Sequence, residues 1–397
     1  MRFKNDIVII GQQPWDTEIG SNCKDIAVEL SKTNRVLYIN SPLDRITLLR
    51  GKNDPKIKKR VNVIKGREDG LVRIQENLWN YYPDCMVESI NWLSNSFLFE
   101  QLNRFNNLKF SGSVKKAIKH LGFHGFILFN DNEIFKGYYL KEFLNPILSI
   151  YYSRDYMIGV DYWKRHGIRL EPKLIRKSDL CFSNSEYLAD YCKRYNKNSF
   201  NVGQGCDVQD FVNIPNIIPE SLKGIRRKIV GYVGSLNSER LDISIIADIA
   251  SSLKDCCVVL VGPEDDQFKR SVLHQFDNVF FAGQKPASEL PLYINVFDVC
   301  INPQLVNEIT IGNYPRKIDE YLAVGKPVVA TKTKTMEFFK DFVYLAETSE
   351  DYVRLLTLAL VEDNDTRRSE RRNFALTHSW EESVKKMAVE INKLLEV

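Results

Sequence analysis

Short apolar runs alternate along most of this chain with longer segments in which apolar residues recur every three or four positions. The first pattern predicts buried strands and the second predicts helices packed on them. Residues 6–10 read as a strand, followed by the loop 11–16. Ser21 stands where a helix cap is needed, and Ile26, Ala27 and Leu30 fall on one face behind it. Residues 36–39, 126–130, 147–152 and 180–183 continue the strand series, and Ser185 can cap the helix after the last of these. The series restarts at 228–234 and runs through 258–261, 279–283 and 299–301, with helices predicted at 243–253 and 290–297. From 380 to 395, Trp380, Val384, Ala388, Ile391 and Leu395 form a helical stripe. Strands alternating with helices predict α/β domains with mostly parallel sheets.

Two stretches break the pattern. Between about 41 and 125 the periodicity is weak; Trp92, Ser96, Phe99 and Leu102 share helical spacing and are expected in a core. Around 206–226 periodicity lapses, Pro215 and Pro219 intervene and the basic cluster Arg226–Lys228 follows, which predicts a boundary. A chain of 397 residues is also too long for one ordinary core. The expected division is a domain over 1–205, a linker over 206–227, a second domain over 228–377 and a terminal helix over 378–397.

Composition narrows the classes. Apolar content of 44% suits a globular protein, and no run is apolar enough to span a bilayer. Four apolar residues at 7–10 are too few for a signal-peptide core. The eight cysteines lack metal spacing and read as reduced thiols, which predicts a cytoplasmic protein. The first strand lacks a following G-x-G-x-x-G, which disfavours a simple NAD enzyme. The net charge of +4 is mild, yet nine basic residues lie between Arg45 and Arg67 against the single acid Asp54. That patch suits an anionic membrane surface, giving a peripheral site on the inner face; without a recognised motif, nucleic acid is not expected as a partner.

The most informative stretch is Tyr314-Pro-Arg-Lys-Ile-Asp-Glu-Tyr-Leu-Ala-Val-Gly-Lys-Pro-Val-Val-Ala-Thr331. Pro315 suits a first helical position, Gly325 a left-handed stop, and Val328–Thr331 a buried strand. Lys317 and Glu320, three apart, share one helix face near its N-terminus, where an anion is already favoured. This pattern resembles the nucleotide-binding motif of GT-B glycosyltransferases, and the resemblance is specific from about 228 to 331. It implies two Rossmann-like domains facing across a cleft, the first binding acceptor, the second binding a nucleoside diphosphate sugar. It implies that the terminal helix crosses back to the first domain. Glu320 would hold the ribose hydroxyls and Lys317 the diphosphate. Gly234, Ser235, Arg240, Lys285, Tyr314 and Arg316 complete the expected donor site. The donor is a UDP or GDP sugar acting as substrate, with no separate cofactor and no metal.

Many retaining relatives carry a second glutamate eight residues before the first; here that position is Gly312, and Glu308 is out of register. An inverting transfer needs one base for the acceptor hydroxyl. Asp155, just past the strand expected at 147–152, is the first candidate, as in bacterial exopolysaccharide glucuronosyltransferases that this part resembles. Asp16 is the second, and Asp161 lies farther along its loop. The expected activity is sugar transfer to a glycan or lipid-linked hydroxyl in polysaccharide biosynthesis. A sugar-nucleotide epimerase and a non-catalytic sugar-nucleotide-binding subunit are the alternatives.

Overall fold

The computed structural model of the protein describes residues 4–17 and 20–395. It divides into two compact units, Met1–Gly203 with Trp380–Val397, and Gln204–Ser379. The first contains an eight-stranded sheet. In spatial order its strands are Ser199–Asn201, Leu180–Ser183, Leu148–Ser153, Ile127–Asp131, Ile7–Gly11, Val36–Asn40, Leu78–Tyr81 and Leu71–Gln75. Every pairing is parallel except the last. Central strands covered on both faces explain their uninterrupted apolar sequence. The strand expected at 147–152 is shifted by one residue, because Ile147 is exposed and Ser153 pairs with Ser183.

Local signals held unevenly. Ser185 caps its helix, accepting from the Leu188 N–H. Ser21 occupies the cap position of the helix Asn22–Ser31, but its hydroxyl makes no capping bond. The terminal helix Trp380–Leu395 buries Trp380, Met387, Ala388 and Ile391 in the first unit's core beside Ile26, Ala27 and Leu30.

The segment without clear periodicity is helical in large part. Asp44 and Asp54 cap Arg45–Arg50 and Pro55–Ile64 through the N–H groups of Thr47 and Lys56. The basic patch is thus two short helices, and two of its charges are engaged: Arg45 pairs with Glu88 and Arg60 with Asp16. A long helix, Ser96–Leu121, follows. Phe99 is in the core as expected, whereas Trp92 precedes this helix and is exposed.

The second unit holds a parallel six-stranded sheet in the order Val279–Gly283, Cys256–Val261, Lys228–Val233, Val299–Asn302, Val328–Thr331, Tyr344–Ala346. Residues 206–227 are not a free linker. Cys206, Val208 and Leu222 are buried in this unit's core, and Phe211, Ile214 and Ile225 pack against it. All eight cysteines are free thiols, seven of them buried. Among the described residues no helix is long and apolar enough to cross a membrane.

Candidate functional site

In parallel α/β sheets the carboxyl ends of strands present loops and helix N-termini on one side. In the second unit three such ends are stitched together. The Gly234 N–H donates to the Val261 carbonyl at 2.9 Å, and the Gly262 N–H to the Gly283 carbonyl at 3.0 Å. Gly234 has φ +140° and Gly262 φ +150°, a region that disfavours side chains. A Cβ on Gly262 would lie 1.9 Å from the Gly234 carbonyl oxygen, so this close approach admits only glycine.

Lys317 leans onto these turns. Its Nζ donates to the Tyr232 hydroxyl and sits 4.1 Å from the centre of that ring. A Cβ at Gly234 would stand 2.9 Å from the same Nζ. Lys317 opens the helix Lys317–Val324, with Arg316 at the cap position. Pro315 therefore lies before the first helical residue, where its carbonyl accepts from the Ile318 N–H at 2.9 Å. Gly325 closes the helix at φ +89°, as expected. Glu320 stands one turn in, half-buried. Burial pushes its carboxyl up, while Arg316 and Lys317 oppose that. Among the described residues the Glu320 carboxylate has no hydrogen bond or ion pair. An unpartnered carboxylate beside a cation at a helix start is suited to hydroxyls next to phosphates.

The other expected donor residues divide. Ser235 and Arg240 are exposed near the Gly234 turn, and the Arg240 guanidinium makes no ion pair among the described residues. Lys285 lies past Gly283 with its Nζ 5.6 Å from the Tyr293 ring centre. Arg316 is half-buried beside Lys317. Tyr314 is different: it is buried in the core with its ring 5.3 Å from Phe339, so it supports the loop from within and is not placed to meet a ligand. The sequence reading passed over Asp319. Fully buried between Lys317 and Glu320 in sequence, it accepts at 2.7 Å from His378 Nδ1 on the helix's other side. Its hint was an acid among apolar positions of the motif helix.

In the first unit the ends of three adjacent strands converge. Arg154, nearly buried, sends Nε to Asp131 at 2.8 Å, one terminal nitrogen to Asp155 at 2.7 Å and the other to Gln12 at 2.9 Å. Burial works against the Arg154 charge, but the Asp131 and Asp155 carboxylates override it and raise its pKa. Asp155 is 41% exposed, and its Oδ1 has no hydrogen bond among the described residues. Its backbone is fixed as well. Asn132, in the left-handed region at φ +53°, accepts from the Arg154 and Asp155 N–H groups at 2.9 and 3.1 Å. Asn132 Nδ2 donates to the Tyr151 hydroxyl at 2.9 Å, which donates to buried Glu171 at 2.6 Å.

Asp16 is held elsewhere. Arg60 grips both its oxygens at 2.8 and 3.0 Å, and although burial opposes its charge, that contact keeps the carboxyl below its usual range. Arg60 thus engages both Asp16 oxygens, whereas Arg154 engages one oxygen of Asp155. Asp161 starts the helix Asp161–Lys177 and is exposed. Among the described residues no group of three or more His, Cys, Asp or Glu is placed to hold a metal ion.

Comparison with known proteins bears on this layout. Residues 227–357 match the family Glycosyl transferases group 1. TuaH of Bacillus subtilis, provisionally named a teichuronic acid biosynthesis glycosyltransferase, is 29% identical over 168 residues, 40% of this chain and 42% of that protein. The chain thus matches less than half the length of this curated relative. Sucrose-phosphate synthase from Thermosynechococcus elongatus is similar over 99% of both chains, with a TM-score of 0.70 and 15% identity. HepE of Anabaena, in complex with UDP and glucose, gives 0.63 and 15% over 98% of this chain and 100% of that one. The α,α-trehalose 6-phosphate synthase of Burkholderia multivorans gives 0.66 and 11% over 100% and 98%. At these identities the structures speak to fold, and the family match to the second unit. Residues 227–357 are therefore similar to a group 1 glycosyltransferase domain, and the chain has the GT-B fold.

Proposed function

We propose that the protein transfers a sugar from a nucleoside diphosphate sugar, UDP or GDP, to a hydroxyl of a glycan or lipid-linked acceptor in polysaccharide assembly. The observation that carries this reading is Lys317 at the Gly234 turn with the unpartnered Glu320 carboxylate one turn along the same helix. The UDP and UDP-glucose bound in HepE, and the teichuronic acid role in the name of TuaH, support the donor class and the polymer context.

In this reading Gly234 lets the diphosphate approach the backbone. Lys317, with Arg316 and Arg240, offsets the charge that grows on the diphosphate as the bond from the anomeric carbon to its oxygen breaks. Glu320 accepts from the ribose hydroxyls. Asp155 takes the acceptor proton through its open Oδ1 as the acceptor oxygen bonds to the anomeric carbon, inverting it. Arg154 is a positioning residue that fixes the other Asp155 oxygen.

The test is a turnover screen over a panel of UDP and GDP sugars, with the anomeric configuration of the product read from proton couplings. Sugar transfer or donor hydrolysis with one nucleotide series is expected. A product that keeps the donor configuration would reject the role of Asp155. No binding of any nucleoside diphosphate would reject the donor site.

A further inference from the structure

The helix Ser96–Leu121 is built inside out. Its core-facing side carries asparagines and serines among its apolar residues: Asn103, Asn106, Asn107, Ser111 and Ser113 are all buried. They are matched to backbone groups. Asn103 and Asn107 both donate to the Phe135 carbonyl, at 3.0 and 2.9 Å. Asn106 accepts from the Glu88 N–H and donates to the Glu88 carbonyl, each at 2.9 Å. The outer side carries large apolar groups among polar and cationic ones. Phe97 is 71% exposed, Leu98 46%, Phe105 48% and Leu108 56%. Spaced at i, i+1, i+8 and i+11, they share one face. Such an array gains nothing from folding of this unit and invites an apolar phase.

The surroundings say which phase. A cavity of about 640 Å³ lies between the buried side of this helix, at Phe99, Asn103 and Asn106, and the short helix Arg45–Arg50; exposed Trp92 and Ile46 are on its lining with Arg50. Leu49, at the end of the same short helix, is also exposed. Exposed cations share the outer side of the long helix at Arg104, Lys109, Lys115, Lys116 and Lys119, and Arg50, Lys52, Lys58 and Lys65 are exposed on and around the two short helices. Glu100, the acid nearest the apolar face along the helix, is neutralised by Arg169. Apolar side chains in a ring of cations are complementary to a leaflet of anionic phospholipid.

We propose that the outer face of Ser96–Leu121 docks this unit onto an anionic membrane surface. Phe97, Leu98, Phe105 and Leu108 enter the headgroup layer and the cations meet lipid phosphates. The proposal stands apart from the transfer chemistry and corrects the sequence expectation in one respect. The basic segment 45–67 supplies charge, but the anchoring groups come from a helix outside it.

Flotation of the full chain with vesicles tests this. Wild type is expected to bind vesicles of phosphatidylcholine with phosphatidylglycerol and to leave pure phosphatidylcholine largely unbound. Phe97→Ser with Phe105→Ser should lower that binding at least about tenfold at low salt, with all cations still present. Lys52→Glu with Lys58→Glu should weaken binding and flatten its salt dependence. An unchanged urea transition by tryptophan fluorescence in each variant shows that the first unit remains folded. Full vesicle binding by the double phenylalanine variant would overturn the proposal, as would equal binding to neutral and anionic vesicles. So would a lipid-free dimer abolished by the same substitutions, which would make this face an interface between copies.

Discussion

Glu171→Gln should change how the first unit's stability depends on pH. Glu171 is 1% exposed; the Tyr151 hydroxyl donates to one oxygen at 2.6 Å and that of Tyr191 to the other at 3.1 Å. Burial dominates, and its carboxyl is pushed from 4.5 up to about 7. The folded chain therefore keeps a proton that the unfolded chain has released. The contribution of Glu171 to stability is greatest below about pH 4.5, falls as pH climbs to about 7, and is flat beyond. At about 1.36 kcal/mol per pH unit, the loss over that window is about 3 kcal/mol. The amide keeps the shape and one acceptor but cannot ionise. All five tryptophans, Trp15, Trp79, Trp92, Trp163 and Trp380, lie in the first unit, so their fluorescence during urea unfolding reports on it alone. The variant-minus-wild-type stability should rise by roughly 2–3 kcal/mol between pH 5 and 8, other titrations cancelling in the difference. Parallel pH curves for the two proteins would refute the reasoning.

Three further outcomes follow from the sites. Lys317→Ala should cost roughly 1.5–3 kcal/mol of UDP affinity by calorimetry, the loss of a charge-assisted contact; unchanged affinity would sink the diphosphate assignment. Asp155→Asn should slow transfer by about 10²–10⁴ while leaving UDP affinity intact, and near-wild-type turnover would remove Asp155 as the base. Gly234→Ala should both lower the thermal midpoint and weaken UDP binding. Its φ of +140° disfavours a side chain, and the new methyl would press on Lys317 Nζ at 2.9 Å. A normal titration with UDP would contradict the close approach.

Strands buried on both faces were legible because nothing else explains runs such as Val258–Val261 or Val328–Thr331. The motif helix was legible through its ends, with Gly325 at the left-handed stop. Its start was misjudged by two residues because Pro315 and Arg316 form a turn before it. The helix Ser96–Leu121 defeated periodicity because asparagines and serines share its buried side with Phe99, Phe110, Val114 and Ala117, while Phe97, Leu98, Phe105 and Leu108 are exposed. The two short basic helices depend on Asp44 and Asp54 as caps, and runs so brief carry little periodic signal. Prolines and a lapse of pattern suggested a linker at 206–227; Cys206, Val208 and Leu222 are too widely spaced to announce a core role. The pairing of Arg154 with Asp155, Asp131 and Gln12 joins residues up to 142 positions apart and could only emerge from the fold.

The return of Trp380–Leu395 to the first unit has a consequence for how the chain is made. Gln204–Ser379 is continuous and can close its core as soon as it leaves the ribosome. The first unit, begun earlier, must wait for that whole stretch, on the order of 10–40 s at ordinary synthesis rates. Until then the apolar flank of Asn22–Ser31, covered in the finished protein by Met387, Ala388 and Ile391, faces water on a nascent chain. The part synthesised first is completed last, and that interval is when a chaperone has something to hold.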